Sequence, residues 1–199
     1  MSIYNNRLGY DKEPITDSFF SIGIHPWDCN LVTNTTFIEL ETYLSHTNCL
    51  AIGECGLDKF IAVDLEIQKT IFEKQLQLAL KYNKPLIIHC VKAFNEIIQY
   101  CQPHVNKLSI IIHGFNKSDE LAEQLQTKGF YISISESFIN KSSLSTINLN
   151  KIFFETDSNA SLTINEVYVL AANKMNMDVN GLKEKIYRNF ATIFNTHGR

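Results

Sequence analysis

Cys49-Leu-Ala-Ile-Gly-Glu54 is a short apolar run closed by a carboxylate, and Pro85-Leu-Ile-Ile-His89 is a second run closed by an imidazole. Between them, residues 64–83 place Leu65, Phe72, Leu76 and Ala79 at intervals near three and four, the spacing of one helix face. Strand, amphipathic helix, strand is the unit from which parallel sheets grow through right-handed crossovers. The same alternation extends outward. Phe19-Phe-Ser-Ile-Gly-Ile24 comes before it, and Leu108-Ser-Ile-Ile-Ile-His113, Phe130-Tyr-Ile-Ser-Ile-Ser135 and Lys151-Ile-Phe-Phe-Glu155 come after. Most of these runs are nearly continuous in apolar character, as strands covered on both faces should be.

Helix punctuation supports the reading. Ser118 before Asp119 and Glu120 is an N-cap with first-turn acids, and Gly129 after Leu125 is the C′ residue that ends that helix. Residues 164–194 are helical with no convincing strand. Six strands fall short of the eight that a full β/α barrel of about 250 residues needs. The expected fold is therefore α/β and TIM-barrel-like, an incomplete or distorted barrel, with an open doubly wound sheet as the alternative. No repeat, low-complexity tract or linker divides the chain, so a single domain over residues 1–199 is expected.

Composition narrows the function. The 199 residues are 45% hydrophobic, which is enough for a buried core and excludes disorder as the main state. With 18 Lys+Arg against 21 Asp+Glu the net charge is -3, so the chain has no overall basic footprint for long nucleic acid or for an anionic membrane. No apolar run approaches the roughly 20 residues of a membrane span. The first ten residues have no signal-peptide core. Five scattered cysteines, Cys29, Cys49, Cys55, Cys90 and Cys101, indicate neither a disulfide framework nor a Cys-based zinc site. A reducing, cytoplasmic setting is expected.

The chemistry lies in where polar residues fall. His25, Glu54, His89 and His113 each follow an apolar run, and Thr156-Asp157 follows another. In a parallel α/β sheet or barrel all the C-terminal strand ends face one side, which brings residues from distant parts of the chain together. Histidines with carboxylates suit a divalent cation such as Zn²⁺ or Mn²⁺, and a His₂Glu set with an open position is a catalytic arrangement. The competing reading of any single histidine is a structural cap. Four strand ends of this kind make four independent caps the poorer account.

At these residues the chain resembles the TatD family of metal-dependent hydrolases and DNases. The resemblance is carried by Gly23-Ile-His-Pro26, Gly53-Glu-Cys-Gly-Leu-Asp58, the helix from residue 68 to 83 leading into Pro85-Leu-Ile-Ile-His89, Ile112-His-Gly-Phe115, Gly129-Phe-Tyr-Ile-Ser133, Phe154-Glu-Thr-Asp157 and Asn189-Phe-Ala-Thr-Ile-Phe194. It implies that Glu54 anchors or bridges one or two metals (Zn, Mn or Mg), with His89 and His113 completing one site. Asp157 would ligate the other metal or take a proton from the attacking water, so Asp157 and Glu54 are the implied catalytic residues. His25 and Lys92 would contact a substrate phosphate, although Lys92 also reads as a solvated side chain opening the next helix. The chain departs from the family in one respect: no His-x-His precedes His25. The candidate first strand, Ser2-Ile-Tyr-Asn-Asn6, puts Tyr4 and Asn6 where two imidazoles belong.

The reading that follows is a metal-dependent deoxyribonuclease or phosphodiesterase acting through metal-activated water, monomeric, with DNA or another phosphodiester as substrate. Its activity should be weakened by the missing histidines. An impaired binding protein, or a hydrolase of a small ester or amide, are the rivals, because fold does not set substrate. Trp27 is either a site-mouth residue or an aromatic plug. The cysteines beside Glu54 and His89 pack as small apolar groups. His46, His104 and His197 belong on the surface, and Glu136 alone proves little.

Overall fold

The computed structural model describes residues 3–11, 16–33, 35–156 and 161–194. The chain forms two compact units, residues 1–110 and 111–199. The first carries β1 (Tyr4–Arg7), β2 (Phe20–Gly23), a 3-10 turn (Pro26–Leu31), α1 (Thr36–Leu44), β3 (Cys49–Asp58), α2 (Leu65–Tyr82), β4 (Leu86–Val91) and α3 (Phe94–Cys101). Its strands pair in parallel and in chain order, with Asn5 opposite Ser21, Ser21 opposite Ala51, and Ile52 opposite Leu86. The second carries β5 (Ile110–Ile112), α4 (Asp119–Thr127), β6 (Tyr131–Ile134), α5 (Glu136–Lys141), β7 (Ile152–Phe154), α6 (Ile164–Met175) and α7 (Val179–Phe194). It too is parallel, Ile111 opposite Tyr131 and Ile132 opposite Ile152. All six apolar runs are strands, and the tail is two helices.

Local chemistry sets the helix ends, at Ser118 and Gly129 as expected. The Asp64 carboxylate accepts from the Glu66 and Ile67 amides at 2.8 and 3.3 Å, and Asn83 turns left-handed at the other end of α2. The Ser118 hydroxyl accepts from the Leu121 amide at the start of α4, and Gly129 follows that helix at φ +101°. Strand β3 runs on past Gly53 to Asp58 because Cys55 and Leu57 are completely buried. Glu54 and His89 therefore lie within strands, not at their ends. Gly56 permits this extension: at φ +139° a Cβ there would meet the His89 carbonyl oxygen at 2.0 Å.

Two buried glutamines on α2, seven positions and so about two turns apart, hold the strand ends. Gln75 accepts from the Ile24 amide at 2.8 Å and donates to the Ile24 carbonyl at 3.1 Å. Gln68 accepts from the Asp58 amide at 2.8 Å and donates to the carbonyls of Asp58 and Val63 at 3.0 and 2.8 Å. Each side-chain amide thus satisfies both backbone groups of a residue where the strand ladder no longer does. The second unit repeats the device with Gln126, which binds Asn148 and Lys151, and with Asn189, which donates to Leu149 and Ile152. Gln75→Leu should leave the buried Ile24 amide and carbonyl without partners and destabilise the protein by roughly 3 kcal/mol in urea denaturation. A loss under about 1 kcal/mol would contradict the assignment.

Candidate metal centre

Glu54 sits at an irregularity in β3. Ile52 pairs with Leu86 and Cys55 with Ile88, so Gly53 and Glu54 together oppose Ile87, a bulge of the kind that re-aims a side chain. Its carboxylate lies with His25 and His89 in a group whose candidate ligand atoms are all within 4.8 Å of one another. His25 Nε2 is 3.9 Å from Glu54 Oε2, and the His25 and His89 rings meet edge-on with centroids 4.5 Å apart. The donor set is a carboxylate and imidazoles brought together by parallel strands, which fits a divalent cation.

The partner of each ring determines what the ring can do. Asp58 Oδ2 lies 3.2 Å from His89 Nε2. A carboxylate only accepts, so Nε2 carries the proton and Nδ1 keeps the lone pair that a metal requires. His113, in the second unit, has its Nδ1 2.8 Å from Glu155 Oε2, and by the same logic keeps the lone pair on Nε2. Glu155 also accepts from the Gly114 amide at 3.0 Å. His25 is arranged in the opposite sense. The Trp27 amide donates to its Nδ1 at 3.3 Å, so the proton of the neutral ring is on Nε2, toward Glu54. In the neutral rings the proton is thus on Nε2 of His25 and His89 and on Nδ1 of His113.

Asp58 is the least exposed of these acids at 4%. Burial alone would raise its carboxyl, but hydrogen bonds from the Trp27 indole, the Phe60 amide and His89 outweigh that and hold it below the ordinary 3.8. Trp27 is half-exposed, its indole pinned to Asp58 and its ring set edge-on against both His25 and His89. Both sequence readings of Trp27 are thus partly right. Lys92 is exposed at the end of β4, its ammonium 5.1 Å from the Phe60 ring centre. Asp157 lies outside the described residues, as does His197.

One sequence expectation is corrected. Tyr4 and Asn6 do not occupy the imidazole positions: Tyr4 faces outward, 48% exposed, and Asn6 is buried. The register Asn5 to Ser21 puts Asn5 on the site face instead. Its amide donates to Glu54 Oε1 at 2.8 Å, and its oxygen accepts from the Ser21 hydroxyl. A shift of one position reverses every side chain of a strand. Arg7, two positions on, is locked to Asp28 by contacts of 2.8 to 3.0 Å. Sequence reasoning also passed over Asp58 and Glu155, although both stood in motifs already quoted, and a carboxylate after an apolar run was itself the signal. The cysteines are inert packing: burial pushes the Cys29 thiol up to about 12 and Cys49 to about 11, and raises Cys55 and Cys101 as well.

An α/β fold that brings a carboxylate and imidazoles together from parallel strands is the architecture of the TIM-barrel-like metal-dependent hydrolases. The chain belongs to the TatD-related DNase family, whose model matches residues 9–195. It is 32% identical over 154 residues to an uncharacterized metal-dependent hydrolase of Buchnera aphidicola, covering 70% of this chain and 58% of that one. It is 30% identical over 116 residues to the 3'-5' ssDNA/RNA exonuclease TatD of Edwardsiella piscicida, covering 57% of this chain and 44% of that one. The chain thus spans about half the length of these curated relatives. A solved TatD homolog of Escherichia coli K12 shares its fold with a TM-score of 0.85 at 20% identity, over 98% of this chain and 86% of that one. Among the described residues no helix is long and apolar enough to cross a membrane.

Because Asp58 titrates below its unfolded value, it stabilises the fold above about pH 3.8, and that contribution is lost as the pH falls through the lower folded value. Asp58→Asn should therefore be less stable than the wild type near pH 5, with the gap narrowing as the pH drops below 4. The measurement is denaturant unfolding in EDTA across that range. A gap that stays constant from pH 5 to 3 would refute it.

Proposed function

We propose that the chain is a metal-dependent phosphodiesterase that hydrolyses single-stranded nucleic acid. The observation that carries this reading is the division of labour among the histidines: the carboxylates of Asp58 and Glu155 each pair with one ring nitrogen of His89 and His113, whereas a backbone N–H donates to His25 Nδ1. Glu54 and His89 are the proposed ligands in the first unit. His113 and Asp157 keep the ligand and proton-accepting roles that the family resemblance implies. Relatives named as nucleases support a nucleic-acid substrate, and an all-buried set of cysteines supports a reducing, cytoplasmic setting.

A divalent cation held here supplies a Lewis acid for the phosphoryl group and a bound water of lowered pKa. The protein's own groups do the rest. Glu54, steadied at Oε1 by Asn5, would ligate the cation through its carboxylate. His25 donates from Nε2 to a phosphate oxygen, an interaction that strengthens as charge builds on that oxygen. Lys92 adds a point charge at the rim. Asn5 and Arg7 stand where two imidazole ligands would have to be, so we propose slower turnover than a site with both would give.

The purified chain should cleave short single-stranded DNA slowly with Mn²⁺ or Mg²⁺, and EDTA should abolish cleavage. Glu54→Gln and His89→Gln should each weaken metal binding in calorimetry by on the order of tenfold or more, together with loss of cleavage. Unchanged metal affinity in both variants would overturn the ligand assignment. Metal binding without cleavage of any phosphodiester would favour an impaired, binding role.

A further inference from the structure

Around the candidate centre, polar groups explain His25, Glu54 and His89, but two large aromatic rings at the rim have no structural need to be exposed. Phe60 is 72% exposed and Trp27 is 52% exposed. Isolated exposed apolar residues are ordinary. These two differ because both are tied to one buried carboxylate: the Trp27 indole donates to Asp58 Oδ2 and the Phe60 backbone amide to Oδ1, each at 2.9 Å. Asp58 is at the same time the partner of His89. The Trp27 ring and the Phe60 backbone are therefore both tied to the residue that partners the proposed ligand histidine. The Trp27 ring centre is 4.9 Å from that of His25 and 6.1 Å from that of His89, so this ring directly adjoins the group that would receive a phosphate. The Arg7 guanidinium, paired with Asp28, lies 5.5 Å from the indole centre. Lys92 brings an ammonium to the Phe60 ring.

Two exposed aromatic rings near the proposed phosphate-binding group, one of them beside a cation, match what unpaired nucleotides require: bases stack on the rings while the backbone meets the charge. Resting on the nuclease reading above, we propose that Trp27 and Phe60 form a stacking clamp for the bases flanking the scissile phosphate. The clamp makes the enzyme specific for unpaired strands, because a base inside a duplex has both faces covered by its neighbours. Since every base has a π-face, discrimination among the bases should be weak.

Trp27 is the sole tryptophan, so its fluorescence reports the contact directly. The full chain in EDTA, where no cleavage occurs, is titrated with an oligothymidine octamer and with an abasic octamer of equal charge. The thymidine strand should quench Trp27 saturably and bind roughly tenfold tighter than the abasic one. Phe60→Leu keeps an apolar side chain at an exposed position, and its folding is checked by thermal melting. It should reduce the preference for the base-bearing strand severalfold. Equal or undetectable binding of the two strands by the wild type, or an unchanged preference in Phe60→Leu, overturns the clamp. A wild type that cleaves with metal yet shows no base preference leaves the nuclease reading intact. A wild type that prefers the base-bearing strand but cleaves neither with metal keeps the clamp and removes the nuclease.

Discussion

The Asp58 carboxylate accepts from the Trp27 indole, the Phe60 amide and His89, while Gln68 grips both backbone groups of the same residue. A charge that is 4% exposed is tolerated only when its lone pairs are taken up, and here they are taken up by the groups that shape the site. The geometry of the first unit depends on this one residue. Gln68 fixes the strand end, the strand end places the carboxylate, and the carboxylate orients His89 and anchors the rim. Because the order is imposed from α2 outward, the candidate ligand and the aromatic rim are held in place before anything binds, so binding forfeits little side-chain freedom.

Three histidines that look alike in sequence are separated by the polarity of their partners. The Asp58 and Glu155 carboxylates accept from one ring nitrogen in His89 and His113, and a backbone N–H donates to His25 Nδ1. The distinction is a second-contact property. Asp58 is 31 positions from His89, and Glu155 is 42 from His113. No spacing rule joins them in a single sequence.

This also marks how far sequence could go. The apolar runs, the Ser118 cap and the helix over residues 64–83 were legible because each is a local signal, written within a few residues. The candidate site was legible as a set of residue types after apolar runs, and as a family resemblance. The buried amides Gln68, Gln75, Gln126 and Asn189 were not legible, because hydrophobic periodicity treats a polar residue on a helix as solvent-facing. The register of β1 was not legible either. Tyr-Asn-Asn-Arg has no apolar alternation to mark a buried face, and only pairing with β2 decides it.

That register carries a chemical consequence. Asn5 and Arg7 are the side chains that β1 spends toward the site, and neither adds free charge: Arg7 is neutralised by Asp28, and Asn5 is a neutral donor held from behind by Ser21. A carboxylate has about four lone-pair positions. The Asn5 amide therefore helps orient the Glu54 carboxylate through Oε1. An unpaired arginine on this strand would have repelled a cation. The Asp28 ion pair removes that repulsion while keeping the guanidinium packed on Tyr10 and Trp27, 4.3 and 5.5 Å from their ring centres. The first strand thus orients Glu54 through Asn5 and holds Arg7 in an ion pair with Asp28.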